Sequence, residues 1–531
     1  MTTIKSAVNF RLISRFFSAE SLTQKAYLNS VAAALDYGAL LLTGFVVTPF
    51  LVAGLGDVGY GIWRTLDGFT GYLSAASGRP SQALKSTIAN SQRSTDYEAK
   101  RRSVASAVIV WFLFLPLLTV MGSILVWFAP IWINGVPDAL YGIVRLTAGL
   151  LVLRMITVTL TDLPRSVLEG ENLGYKRMGL SAALSIVGGG LTILALYLDT
   201  GLVGVALASL VTILLTGLLF VFVVRSYVPW FGLAKPSRQA VRRFFGLSGW
   251  FLIWRLVMQS MSSSGLIILG VFASAELVTV YSLTKYVPET LINFVAILAF
   301  GSIPGLGGII GSGDVHKAAR VRGELMLFTW LIMTVVGFTV LLWNQTFINL
   351  WVGGERYAGS AATLLILVMV GQLVLIRNDA NIIDLTLDLS HKVRLGLLSA
   401  VLSIMIASVL VGYFNGGIIG MLLGLIAGRS ILSVTYPMIM GRFLGVSFYS
   451  QLKGALRPTL VTVLLLLLAL GLNNFTNISD LSVSSTWVGL TLSAMVTFVG
   501  ASLLVFSLGM SSGQQKRIVQ RVRMVMMTRS N

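Results

Sequence analysis

The stretch Tyr60–Lys85, YGIWRTLDGFTGYLSAASGRPSQALK, is about as long as a membrane crossing requires, roughly 20 residues or slightly more. It nevertheless carries Arg64, Asp67 and Arg79. At about 100° per residue, Arg64, Asp67, Gly71, Ala75, Gly78 and Arg79 share one broad helical face, and Ile62, Leu66, Phe69 and Leu73 another. Charges inside a bilayer are costly, so they face a cavity or a partner rather than lipid. The apolar face suits lipid or a neighbouring helix; the other suits water or a charged guest. The stretch reads as one wall of a polar, largely cationic cavity.

Working outward, the remaining chain supplies more such segments. Its 531 residues are 56% hydrophobic and only 11% charged, with a mean hydropathy of +0.86. A soluble domain carries roughly 25% charged residues. Apolar windows of about 20 residues recur from end to end, which defines a polytopic helical membrane protein. The absence of cysteine excludes disulfides, thiolate metal sites and cysteine nucleophiles. The two histidines, His316 and His391, fall in expected loops, so no metal centre and no cofactor is expected. The N-terminus lacks an apolar core closed by a small-residue cleavage site, so the first crossing is expected to serve as its own insertion signal.

The expected fold is all-α, with about 14 transmembrane helices in two parallel-repeat six-helix bundles plus two C-terminal helices. Residues 1–27 form an N-terminal segment in which 8–22 reads either as a basic amphipathic surface helix or as a frayed tail. The N-lobe spans 28–226, beginning with crossings over 28–52 and 60–84. A linker over 227–245 leads to a C-lobe over 246–440, then to helices 13 and 14 within 456–510 and a basic tail over 511–531. Most lysines and arginines gather in the tails and on alternate loops, while the opposite loops hold acids such as Asp57, Asp138, Asp199, Glu276 and Asp480. Cytoplasmic loops are the basic ones, so both termini are expected in the cytoplasm. The net charge of +19 thus reports topology mainly, and no nucleic-acid partner is expected.

An internal duplication is visible at offsets of 216 to 221 residues. Tyr60 matches Tyr281, the loop around Asp96 matches that around Asp314, Trp132 matches Trp351, Arg177 matches Arg394, and GLVG at 201 matches GIIG at 417. An even number of crossings separates the copies, which gives them one orientation. In such parallel repeats the transport site lies near the midplane between the halves.

The repeat maps Arg64 onto Lys285, and Asp162 onto Asp379. Two readings of the first pair stand side by side: cavity cations, or local ion pairs of Arg64 with Asp67 and of Lys285 with Glu289. Arg145 and Arg154 lie on opposite faces of one helix, so at most one of them faces a cavity. Arg79, Arg154, Arg255 and Arg429 have no acidic partner at helical spacing and are the leading candidates for binding an anion. Arginine suits phosphate through a planar fork of donors that stays charged at any working pH. Pro80 lacks a backbone donor and is expected to bend the helix beside Arg79. Asp36, a deep acid in the first crossing, is either a proton-coupling carboxyl or the partner of Arg255 at matching depth.

The segments TPFLVAGLGDVGYGIWRTLDGFTGYL, IAN…TDYEAKRR and LWVGGERYAG resemble the Wzx-type oligosaccharide flippases of the multidrug/oligosaccharidyl-lipid/polysaccharide exporter superfamily. The resemblance covers about residues 28–440. It implies twelve core helices plus two, and alternating-access movement of an undecaprenyl-pyrophosphate-linked oligosaccharide across the bacterial inner membrane. It also implies work alongside a glycan polymerase and glycosyltransferases. Many relatives carry Asp-Leu-Gly where this chain has Ala76-Ser77-Gly78, so no acid transfers to that place.

A multidrug exporter of the same superfamily is the alternative. It handles organic cations and should present acids, whereas the charges here are mainly basic. A membrane glycosyltransferase would need a large loop bearing carboxylates, and no loop is long enough. A transport-dead scaffold for envelope-polysaccharide enzymes is the alternative of another class. No phosphate-binding loop, acid pair or nucleophile points to an enzyme. Asn344 and Asn477 fit the glycosylation sequon, which has meaning only in a secretory pathway.

Overall fold

The computed structural model describes residues 22–78, 80–177, 179–236, 238–300, 303–385, 389–476, 486–516 and 520. Arg79, residues 8–21 of the expected surface helix, Asn477 and most of the basic tail lie outside the described residues. The chain divides into two compact units, Met1–Gln259 and Ser260–Asn531, with the division inside one helix.

The first unit contains α1 (Leu22–Ala75), α2 (Pro80–Asn90), α3 (Tyr97–Trp132), α4 (Tyr141–Gly170), α5 (Leu180–Tyr197), α6 (Gly201–Tyr227) and most of α7 (Arg238–Phe272). The second holds the end of α7, then α8 (Ala275–Phe300), α9 (Ile303–Gly311), α10 (Val315–Trp351), α11 (Ser360–Leu385), α12 (Leu389–Gly412) and α13 (Gly417–Leu444). It closes with α14 (Phe448–Thr476) and α15 (Trp487–Leu504). Twelve stretches among the described residues are long and apolar enough to cross a membrane. The first of these contains both segments on either side of Gly56, where φ of 68° interrupts the helix. Helix α8 is not among the twelve; it carries Glu276, Lys285 and Glu289 within 26 residues. With those two points, the twelve agree with about fourteen crossings.

The crossing expected over 60–84 is not one bent helix. It ends at Ala75, turns through Gly78, and restarts at Pro80. Gly78 has φ of 67°, and a Cβ there would lie 2.3 Å from the Phe114 ring, so conformation and space both require glycine. Pro80 opens α2, where its missing N–H costs nothing, instead of kinking a continuous helix. The expected faces appear in the packing: Ile62 and Leu66 are fully buried and Leu73 nearly so. His316 and His391, expected in loops, lie in the first turns of α10 and α12. Asn344 is buried and donates to the Thr284 carbonyl, which removes it as an attachment site.

The two halves repeat each other in detail. Asp96 caps α3 by accepting from the Ala99 amide at 2.9 Å, and Asp314 caps α10 from the Lys317 amide at 2.9 Å. Phe128 and Trp132 pair at 5.6 Å near the end of α3, as Phe347 and Trp351 pair at 5.1 Å near the end of α10. Before α6, Asp199 and Gly201 have φ of 55° and 57°; before α13, Asn415 and Gly417 have 52° and 51°. Asp and Asn are the side-chain-bearing residues that best tolerate this left-handed region. The outer faces are strongly apolar, with Leu42, Leu218, Phe222 and Val496 among the exposed side chains. In the second unit a continuous apolar core runs through α7, α8, α10, α11 and α13.

Candidate functional site

In the first unit the structure brings Arg64 and Arg154 to one acid. Arg64 lies 3.7 Å from Asp67 three residues on, and Arg154 reaches the same carboxylate from α4 at 4.0 Å. All three side chains are about one-third to two-fifths exposed. Two guanidiniums from different helices thus converge on one carboxylate. The Arg154 Nε is buried and without a hydrogen-bond partner among the described residues. Arg145, on the other side of α4, lies over the Trp127 ring at 4.4 Å and donates to its carbonyl at 3.3 Å. Arg145 and Arg154 thus do separate as opposite faces require.

Asp36 does not pair with Arg255. Its partner is Arg177, whose Nη1 donates to Asp36 Oδ2 at 2.5 Å and to Ser181 at 2.7 Å, while Nη2 donates to Glu169 at 3.1 Å. Glu169 also accepts from Lys85 at 2.8 Å and Arg165 at 2.9 Å. This network ties α1, α2, α4 and the turn before α5. The Asp36–Arg255 reading used matching depth alone; a long guanidinium from the turn Gly174–Arg177 reaches the acid first. Arg255 is half-buried on α7. One turn on, Gln259 lies against Gly71 of α1, where a Cβ would stand 2.2 Å from its Nε2.

In the second unit Lys285 is buried, 3.2 Å from Glu289 and 3.3 Å from the Ser262 carbonyl, with its ammonium 5.4 Å from the Tyr281 ring centre. Arg429 is the largest fully buried side chain described, and its Nη2 donates to the Met261 carbonyl. Asp379 is gripped by Arg322 through Nε at 2.8 Å and Nη2 at 2.9 Å, and Arg322 Nη1 donates to Gln451 at 3.0 Å.

Arg177 and Arg322, which hold these two networks, are not among the residues that sequence alone singles out for a site. The available signal for Arg322 was its distance from the capping Asp314, which puts it two turns inside α10. Arg64 and Lys285 both keep the local acid that spacing offers, whereas Arg154 finds an acid that only tertiary packing supplies.

No family model matches the chain, and no curated protein matches it. Solved structures do. One is a multidrug resistance MATE family transporter of the MOP superfamily in its inward-facing conformation: TM-score 0.58, 16% identity, covering 77% of this chain and 94% of that one. The outward-facing conformation of such a transporter gives TM-score 0.52 at 15% identity, over 81% and 97%. This chain has a MATE-type transporter fold. A MOP superfamily transporter from Pyrococcus furiosus, described by a binding pocket of reverse polarity that suggests a different function, gives TM-score 0.51 at 15% identity, over 80% and 96%.

Proposed function

We propose that this protein is a membrane exporter working by alternating access, and that its cargo is an undecaprenyl-pyrophosphate-linked oligosaccharide. The exporter part draws on the fold, which similar transporters display in inward- and outward-facing conformations. The cargo part draws on one observation above the others: Arg64 and Arg154 converge on Asp67 at a partly exposed position. Such a pair suits a pyrophosphate, since both guanidiniums are partly exposed and present planar forks of donors. Lys285, balanced by Glu289 in its own unit, carries less of this reading, and Arg79, Arg255 and Arg429 enter it as proposed contacts only. Asp36, held by Arg177, remains the proposed coupling carboxyl. The description of reversed pocket polarity in the Pyrococcus furiosus transporter is consistent with this fold serving cargoes of more than one charge.

The test is reconstitution in proteoliposomes with a fluorescent undecaprenyl-pyrophosphate glycan and, separately, an organic cation. Movement of the glycan that falls about tenfold or more in Arg154→Gln supports the proposal, as loss of one charge-assisted contact of about 1.5–3 kcal/mol requires. Movement of the cation alone would assign the chain to multidrug export, and movement of neither would favour a scaffold.

A further inference from the structure

Within α11 of the second unit, three consecutive polar residues, Arg377, Asn378 and Asp379, interrupt an apolar crossing. Two of them are partnered inside the protein. Asn378 donates to Thr329 at 3.2 Å, and Asp379 accepts the forked pair of bonds from Arg322. Both are at most 2% exposed, and both partners belong to α10. These anchors fix the rotation of α11. At about 100° per residue, Arg377 stands roughly 100° and 200° round from them, on a face turned away from α10. Along that face the half nearer Ser360 is packed: Val370, Leu373 and Val374 are all buried. Beyond Val374 the face turns polar. Arg377, Asn381 and Asp384 follow at helical spacing, and all three are half-buried.

Arg377 makes no hydrogen bond or ion pair with any described residue, and no carboxylate lies near enough to act on it. Asp384, about 10 Å further along the axis, holds the buried Lys392 at 2.5 Å instead. Asn381, one turn from Arg377, also has no hydrogen-bond partner among the described residues. Other basic residues within crossings find a protein group. Arg154 meets Asp67, Lys285 meets Glu289, Arg145 lies over Trp127, and Arg429 donates to the Met261 carbonyl. An arginine inside a membrane segment without an acid is costly, and it marks a path or a site for a charged group. Its planar fork suits phosphate oxygens, and the Asn381 amide adds neutral donors on the same face. We infer that Arg377 and Asn381 form a receiving site for the pyrophosphate of the lipid-linked cargo. The site sits in the half of α11 that runs toward Lys392 and Arg394, the end expected on the cytoplasmic side from its charge. This inference rests on the proposed function and adds to it a position in the second unit alone.

Binding of a fluorescent undecaprenyl-pyrophosphate glycan to the full chain in detergent micelles tests this. Arg377→Gln should weaken it about tenfold or more, as loss of one charge-assisted contact requires, and Asn381→Leu about threefold. Arg377→Lys should recover only part of the loss, because a point charge does not replace a fork. The same glycan on undecaprenol, which lacks phosphate, should bind the parent and Arg377→Gln equally. The ligand-free thermal midpoint of Arg377→Gln should stay at or above the parent's, since no contact within the protein is removed. Unchanged glycan binding in Arg377→Gln would overturn the assignment and leave a side chain that merely reaches for the membrane surface. An equal loss for the phosphate-free glycan, or a lowered midpoint, would overturn it in favour of a structural role. Displacement of the glycan by equimolar dioleoylphosphatidylglycerol would reassign the site to an ordinary phospholipid headgroup. The export proposal is read separately in proteoliposomes. A parent that carries the glycan keeps that proposal even if Arg377→Gln binds and moves it unchanged, and a parent that carries none loses it whatever Arg377 does.

Discussion

Arg177 donates to Asp36 at 2.5 Å across 141 residues of sequence, with the arginine side chain only 7% exposed and the aspartate 17%. A pair so shielded from water is costly to break, because the remaining charge stays buried without its partner, at about 3–5 kcal/mol. Arg177 holds Glu169 as well, so the arginine is the centre of the network and the aspartate one of its arms.

Arg177→Met should therefore destabilise the purified protein more than Asp36→Asn, which keeps the Glu169 contact. We expect a loss of about 3 kcal/mol for the first and about 1–2 kcal/mol for the second, read as denaturation midpoints in mixed micelles. Equal effects would mean that Glu169 contributes nothing to holding Arg177.

The Arg322–Asp379 pair is forked and buried, and Gln451 adds a third bond. Asp379→Ala should cost about 3–5 kcal/mol, and adding Arg322→Met should recover part of it by removing the stranded charge. A double variant no more stable than Asp379→Ala alone would contradict this.

Gly78→Ala introduces both a strained φ and a contact of 2.3 Å with the Phe114 ring. Combining it with Phe114→Ala relieves the contact but not the strain of about 1–2 kcal/mol. Folded yield should accordingly fall sharply in the single variant and return only in part in the double. Full recovery would show that the left-handed turn is dispensable.

Asp67→Asn frees both Arg64 and Arg154 from their shared acid. On the proposed function it should lower the apparent KM for the anionic glycan severalfold, whereas Arg64→Gln with Arg154→Gln should raise it. A shift of Asp67→Asn in the opposite direction would make the acid, and not the arginines, the binding group.

Much of the fold could be read from local rules. Apolar windows gave the crossings, and the loops around Asp96 and Asp314 and the segments GLVG and GIIG could be matched as copies, which the structure shows capping and turning alike. These features are decided within a few residues of chain. Side-chain partnership across helices was legible only where spacing alone sufficed, as for Arg64 with Asp67 and Lys285 with Glu289. Arg154 with Asp67 and Arg177 with Asp36 depend on which helices pack together and how far a guanidinium reaches. The break at Gly78 was half visible, since Ser77-Gly78-Arg79-Pro80 signals an interruption but not whether the helix bends or stops.

The two repeated basic positions, Arg64 and Lys285, occupy the same register in their copies, yet their acids do not: Asp67 follows by three residues and Glu289 by four. At about 100° per residue, three and four positions put the two acids on opposite sides of their cations, so each unit sets its ion pair along a different bearing.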